Sequence, residues 1–159
     1  MSKITPWLWF DTEGEEAADF YTSLFPNSRI GHISRYGPGA PRPEGSVMTV
    51  SFELDGRDFV ALNGGPEYTF NEAVSFMVPC ESQEEVDRYW SALSDGGQEG
   101  PCGWLKDRYG VSWQIVPKQV EELLADGDRE KAQRVMAAML QMGKIEIEGL
   151  ERAAEGVPA

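Results

Sequence analysis

Histidine is almost missing from this chain: His32 is the only one in 159 residues, and there are two cysteines, Cys80 and Cys102. A lone histidine excludes the multi-histidine metal centres of many hydrolases and oxygenases. Two separated cysteines with no CxxC pair exclude a disulfide framework, and they point to a reducing, cytoplasmic setting. No apolar run approaches the roughly 20 residues of a membrane-spanning helix, and the first residues lack the apolar core of a secretion signal. Basic residues are scarce too, 14 Lys and Arg against 27 Asp and Glu, for a net charge of −13. They form no stripe, so neither nucleic acid nor a membrane is an expected partner.

What the chain does have, it has twice. Glu15-Glu16-Ala17-Ala18-Asp19-Phe20-Tyr21-Thr22-Ser23-Leu24 aligns without gaps on Glu84-Glu85-Val86-Asp87-Arg88-Tyr89-Trp90-Ser91-Ala92-Leu93, an offset of 69 residues. Each copy reads as a short helix with an acidic first turn and an aromatic pair, and each follows an apolar strand. Tandem modules of one design are the simplest account. Hydrophobic residues make up 41% of the chain, enough for one compact globular domain over 1–159.

The first module, 1–64, reads as β-α-β-β-β. Residues 4–10 suit a strand, with Pro6 tolerated near its start. Thr12 is placed to cap a helix running to about Leu24, with Ala17, Phe20, Tyr21 and Leu24 on its buried face. Strands at 29–36, 47–54 and 59–62 follow, the last two joined at Asp55-Gly56, a strong hairpin signal. Glycine and proline punctuate 37–45, which is expected to be a mobile loop at a cavity mouth or against a neighbouring subunit.

A linker, 65–72, leads to the second module, 73–117. Its strands fall at 73–78, 98–99, 103–106 and 112–116, and Ser82 with Glu85 forms a capping box for its helix. Asp107-Arg108-Tyr109-Gly110 reads as a tight turn rather than a functional motif. The tail, 118–159, carries helices at about 120–125, 129–141 and 148–154. Val135, Met136, Met139 and Leu140 line one apolar stripe there, suited to core or interface packing.

Three stretches resemble the PhnB-like group of the vicinal-oxygen-chelate superfamily, which includes glyoxalase I, bleomycin-resistance proteins and extradiol dioxygenases. They are Ile4-Thr5-Pro6-Trp7-Leu8-Trp9-Phe10-Asp11, Phe70-Asn71-Glu72-Ala73-Val74-Ser75-Phe76, and the run from Cys102 through Trp104, Asp107, Gly110, Trp113 and Gln114 to Pro117. Proteins of this group have often carried the label 3-demethylubiquinone-9 3-methyltransferase. The resemblance implies an α+β fold: tandem βαβββ modules forming half-barrel sheets around a cavity, followed here by C-terminal helices. It also implies a homodimer.

Superfamily enzymes hold a divalent ion with His, Glu or Gln side chains on the first and fourth strands of each module. Carried onto this sequence, the four positions fall on Ile4, Val60, Ala73 and Gln114. Only Gln114 has a donor oxygen, and one neutral amide does not hold a divalent ion. The expectation is therefore no metal and no cofactor. The methyltransferase label finds no glycine-rich turn between a parallel strand and a helix to support it.

Aromatic and sparse polar groups remain. Trp7 and Trp9 share one strand face, and Trp104 and Trp113 lie on adjacent strands of the second module. With Asn63, Ser75 and Gln114 as polar anchors, they suit a planar or apolar small-molecule ligand. The expected function is a metal-free small-molecule-binding protein. The alternatives are a lyase, isomerase or methyl-transfer enzyme with an unidentified acid–base pair, and a dimeric interaction module.

Overall fold

In the computed structural model, residues 3–157 are described. The chain divides into two compact units, Met1–Phe70 and Asn71–Ala159. Each carries one four-stranded sheet with a helix against one face, and the chain is of mixed α+β class.

In the first unit, β1 (Trp7–Phe10), α1 (Gly14–Leu24), β2 (Arg29–Arg35), β3 (Val47–Leu54) and β4 (Arg57–Asn63) form a sheet of order β1-β4-β3-β2. β1 runs parallel to β4, whereas β4–β3 and β3–β2 are antiparallel. The strand begins at Trp7 rather than Ile4, because Pro6 has no N–H to give a ladder and only its carbonyl takes part, accepting from Val60 N–H. Asp55 and Gly56 both have positive φ (46° and 78°), the backbone a two-residue hairpin turn demands. Alternation then sorts the side chains. Leu8, Phe10, Val50, Phe52, Phe59 and Ala61 are buried towards α1, where Ala17, Ala18 and Tyr21 meet them. The Tyr21, Phe52 and Phe59 rings stack in sequence, with centroids 6.3 and 5.4 Å apart.

The helix start differs from the Thr12 expectation. α1 begins at Gly14, and its first N–H is met from across the sheet by Asn63 Oδ1 at 2.7 Å. A Cβ at position 14 would lie 2.6 Å from that oxygen, so the close approach requires glycine. A cap supplied 49 residues away leaves no local signature.

In the second unit, β5 (Ser75–Cys80), α2 (Gln83–Ser94), β6 (Gln98–Glu99), β7 (Trp104–Lys106) and β8 (Ser112–Pro117) repeat the plan in the order β5-β8-β7-β6. α2 spans the residues equivalent to α1 at the 69-residue offset and runs one residue further, to Ser94. The Ser82 half of the capping box forms, Ser82 Oγ accepting from Glu85 N–H at 3.2 Å, while Glu85 Oε2 reaches one residue past the cap and accepts from Glu81 N–H at 2.6 Å. Val86, Tyr89, Trp90 and Leu93 bury against Leu105, Trp113 and Ile115.

α3 (Lys118–Leu124), α4 (Arg129–Leu140) and α5 (Ile147–Ala154) build a small core of their own from Val120, Val135, Ile145, Leu150 and Ala154. The α4 stripe divides. Val135 is fully buried and Met139 packs on this core, whereas Met136 and Leu140 are exposed.

Candidate functional site

The face of each sheet turned away from its helix is where the predicted ligand residues belong. In the first unit Trp7 pairs with Val60 and Trp9 with Leu62, so both indoles stand on that face as expected. Trp7 is 60% exposed. Trp9 is half-buried, donating from Nε1 to Gly65 O at 2.8 Å and meeting the Tyr68 ring edge-on at 5.0 Å. Asn63 stands on the opposite face. Its Oδ1 caps α1 and its Nδ2 donates to Val47 O at 3.2 Å, so both ends are spent on the scaffold.

In the second unit Gln114 lies between Met77 on β5 and Trp104 on β7. Its Nε2 donates to Ser75 Oγ at 2.9 Å. Ser75, Gln114 and Trp104 thus come together on the face away from α2, with Met77 beside them. Trp113 does not join them. It pairs with Leu105, which puts it on the α2 side, 3% exposed, with Nε1 donating to Asp107 Oδ2 at 2.9 Å.

Asp107 accounts for the turn that follows β7. Its Oδ1 accepts from Tyr109 N–H at 2.8 Å and Val111 N–H at 3.0 Å, while Gly110 takes φ 88°. The carboxylate therefore serves a buried turn.

Two cavities of about 460 Å³ each adjoin these elements. In the first unit Arg42, Pro43 and Ser46 from the glycine- and proline-rich loop face Thr12, Glu15 and Asn63. That loop is tied at its base by Tyr36 N–H to Ser46 O and Gly45 N–H to Tyr36 O. Arg42 pairs with Asp11 at 2.8 Å. In the second unit a cavity lies beside β6 and β7 and is lined by Trp104, Lys106, Gln98 and the turn at 100–102. Glu72 meets Lys106 there, and the ammonium hydrogen bond holds the Glu72 carboxyl below its ordinary range. An ionised carboxylate already paired to an ammonium makes a poor proton donor.

The thiols differ. Burial, with Glu85 nearby, pushes Cys80 up to about 12, so it stays protonated and unreactive. Cys102 is half-buried with φ 58°, in the turn before β7. His32 is exposed on edge strand β2 of the first unit.

The superfamily's metal site can be tested against these residues. Ile4 and Ala73 precede the strands, and Ile4 is 82% exposed. The strand positions that do face one another are Trp7, Trp9, Val60 and Leu62 in one unit, and Ser75, Met77, Ser112 and Gln114 in the other. None is a histidine or a carboxylate, and among the described residues no cluster of three or more His, Cys, Asp or Glu side chains is placed to hold a metal. The donor set does not fit a divalent ion.

Two sheets of order first–last–third–second strand, each backed by a helix after its first strand, define the two-module glyoxalase-like class. The family described as 3-demethylubiquinone-9 3-methyltransferase matches residues 2–116, and the chain belongs to it, within the PhnB-like group of the vicinal-oxygen-chelate superfamily. A PhnB protein from Bacillus cereus is 39% identical, with a TM-score of 0.66 over 73% of this chain and 99% of that one. The Pseudomonas aeruginosa protein PA1353 shares the fold at 21% identity, with a TM-score of 0.60 over 74% and 98%. So does the fosfomycin resistance protein FosX from Mesorhizobium loti, at 13% identity and a TM-score of 0.56 over 79% and 100%. No curated protein matches the chain. No helix among the described residues is long and apolar enough to cross a membrane.

Proposed function

We propose that this chain is a small-molecule-binding protein of the PhnB-like group that works without a divalent ion. The observation that carries this reading is the Ser75–Gln114 pair. A hydroxyl and a neutral amide, joined at 2.9 Å, stand where the parallel first and last strands of the second module meet. They are flanked by Met77 and Trp104 rather than by metal ligands. Such a pair offers both a donor and an acceptor and no net charge, and the flanking thioether and indole supply flat apolar area. A planar molecule bearing carbonyl or hydroxyl groups is the ligand it suits.

A thermal-shift series tests this with aromatic carbonyl and phenolic compounds, and separately with Mn²⁺, Ni²⁺ and Zn²⁺. A compound with a Kd of about 10 µM, present at about 1 mM, stabilises by about 2.7 kcal/mol. For a chain of this length that raises Tm by about 5–11 °C. The expected result is such a rise for at least one organic compound, lost in Gln114→Ala, with no rise from any metal. A metal-driven rise reversed by EDTA contradicts the reading.

The chain is further proposed to act as a homodimer. β1, β2, β5 and β6 are edge strands of their sheets, and Leu140 and Met136 are exposed one turn apart on α4.

A further inference from the structure

The family match ends at residue 116, within β8, so α3, α4 and α5 lie outside it. Residues 142–147, the connection from α4 together with the first residue of α5, do not hang free. They lie along the turn that precedes β7: Cys102 N–H donates to Met142 O and Gly103 N–H to Gly143 O, both at 2.8 Å. Gln83 on α2 clamps the same segment from the other side, donating to Ile145 O at 3.1 Å and accepting from Ile147 N–H at 2.7 Å. Lys144 adds an ion pair to Asp87 at 2.8 Å, and Ile145 is fully buried. The clamped turn is the wall of the second-unit cavity, and Cys102 holds a left-handed φ of 58° in it, a conformation that persists only when its surroundings fix it.

The opposite wall is sheet. Trp104, Lys106, Gln98 and Ser112 share the face away from α2, by alternation along β7 and by the pairings Gln98 with Lys106 and Lys106 with Ser112. Trp104, Lys106 and Gln98 bring an indole N–H, an ammonium and an amide to it, while the buried Ser112 hydroxyl is already given to Asn71 O at 3.4 Å. The two carboxylates of the cavity are otherwise engaged. Glu99 is turned to Trp90 Nε1 at 2.9 Å, and Glu72 is an exposed partner of Lys106, in an ion pair of the kind that exchanges at little cost.

We propose that this cavity binds a small aromatic anion, a carboxylate or sulfonate on a flat ring. The anion takes Lys106 in place of Glu72, the ring lies against Trp104, and residues 142–147 hold the turn that closes the site. The cavity lies on the same sheet face as the Ser75–Gln114 pair, but neither of those residues lines it, and the inference rests on Lys106 and the clamped turn.

Anilinonaphthalene sulfonate is a probe of this chemistry, titrated by fluorescence into the full chain well below a cooperative Tm. One saturable equivalent is expected. Lys106→Met should weaken it about tenfold, the loss of one charge-assisted contact. Glu72→Gln should tighten it about threefold by removing the competing carboxylate, a gain that a merely structural role for the pair does not produce. Gln83→Ala should weaken it severalfold while far-UV circular dichroism stays unchanged, and Gln114→Ala should leave it as it is. Unsaturable binding, unchanged affinity in Lys106→Met, or preference for the cationic dye thioflavin T overturns the anion site. Unchanged affinity in Gln83→Ala overturns the role of the C-terminal segment. A Gln114→Ala effect on organic compounds in the thermal-shift series, with none on this probe, separates this site from the Ser75–Gln114 pair.

Discussion

Asp107 offers the sharpest mutational test of how the second module is held together. It is 3% exposed, and it takes the Val111 and Tyr109 N–H groups on Oδ1 and the Trp113 indole on Oδ2. Asp107→Ala leaves at least two buried donors, Val111 N–H and Trp113 Nε1–H, without this acceptor. Each such loss costs about 1–3 kcal/mol, so a destabilisation of about 4 kcal/mol is expected. At about 2–4 °C per kcal/mol for a chain of this size, Tm should fall by about 8–16 °C.

Asp107→Asn keeps Oδ1 but turns an amide N–H₂ towards the indole N–H, two donors face to face, and should cost about 2 kcal/mol. Trp113→Phe removes that opposing donor. In the Phe background the Asn substitution should therefore cost about 1 kcal/mol less, a coupling readable in a double-mutant cycle. Urea unfolding followed by circular dichroism is the assay. An Asp107→Ala variant within about 1 kcal/mol of the parent would refute the argument that this acidic turn is scaffold.

Three further expectations follow from single contacts. Cys80 should resist a thiol reagent at pH 8 in the folded protein while Cys102 reacts; because burial raises the Cys80 pKa from 9.0 to about 12, its contribution to stability is complete below pH 9 and declines as pH climbs towards 12. Asn63→Ala should cost about 2 kcal/mol in urea unfolding, since it strips the first N–H of α1 and the Val47 carbonyl of their partner together. Light scattering should give twice the 17.7 kDa chain mass, and Leu140→Asp, placed on the exposed side of α4, should reduce it to one; a parent that already runs at 17.7 kDa speaks against the dimer.

Much of the fold was legible because its signals are local. Asp55-Gly56 fixes one hairpin, Ser82 and Glu85 fix one helix start, and the 69-residue repeat locates the two helices. The site was less legible because it depends on pairing across strands. Trp104 and Trp113 lie on neighbouring strands, yet the register sets Trp113 opposite Leu105, one residue from Trp104, and that single step sends it to the other face. Asn63 ends β4 in a polar position that suits a ligand anchor equally well; only the approach of Gly14 from 49 residues away makes it a helix cap. The backbone bonds from Cys102 and Gly103 to Met142 and Gly143 have no side-chain signature at all, so nothing in the tail's helical pattern announces them.

The central proposal is that this chain works without the divalent ion of its superfamily's enzymes, Gln114 being the one donor among the four ligand positions. Elemental analysis of protein purified without chelator tests it most directly. Well under one equivalent of Mn, Fe, Ni and Zn is predicted, with no change on Gln114→Ala. One tightly held equivalent of any of them, lost on Gln114→Ala, would contradict the account.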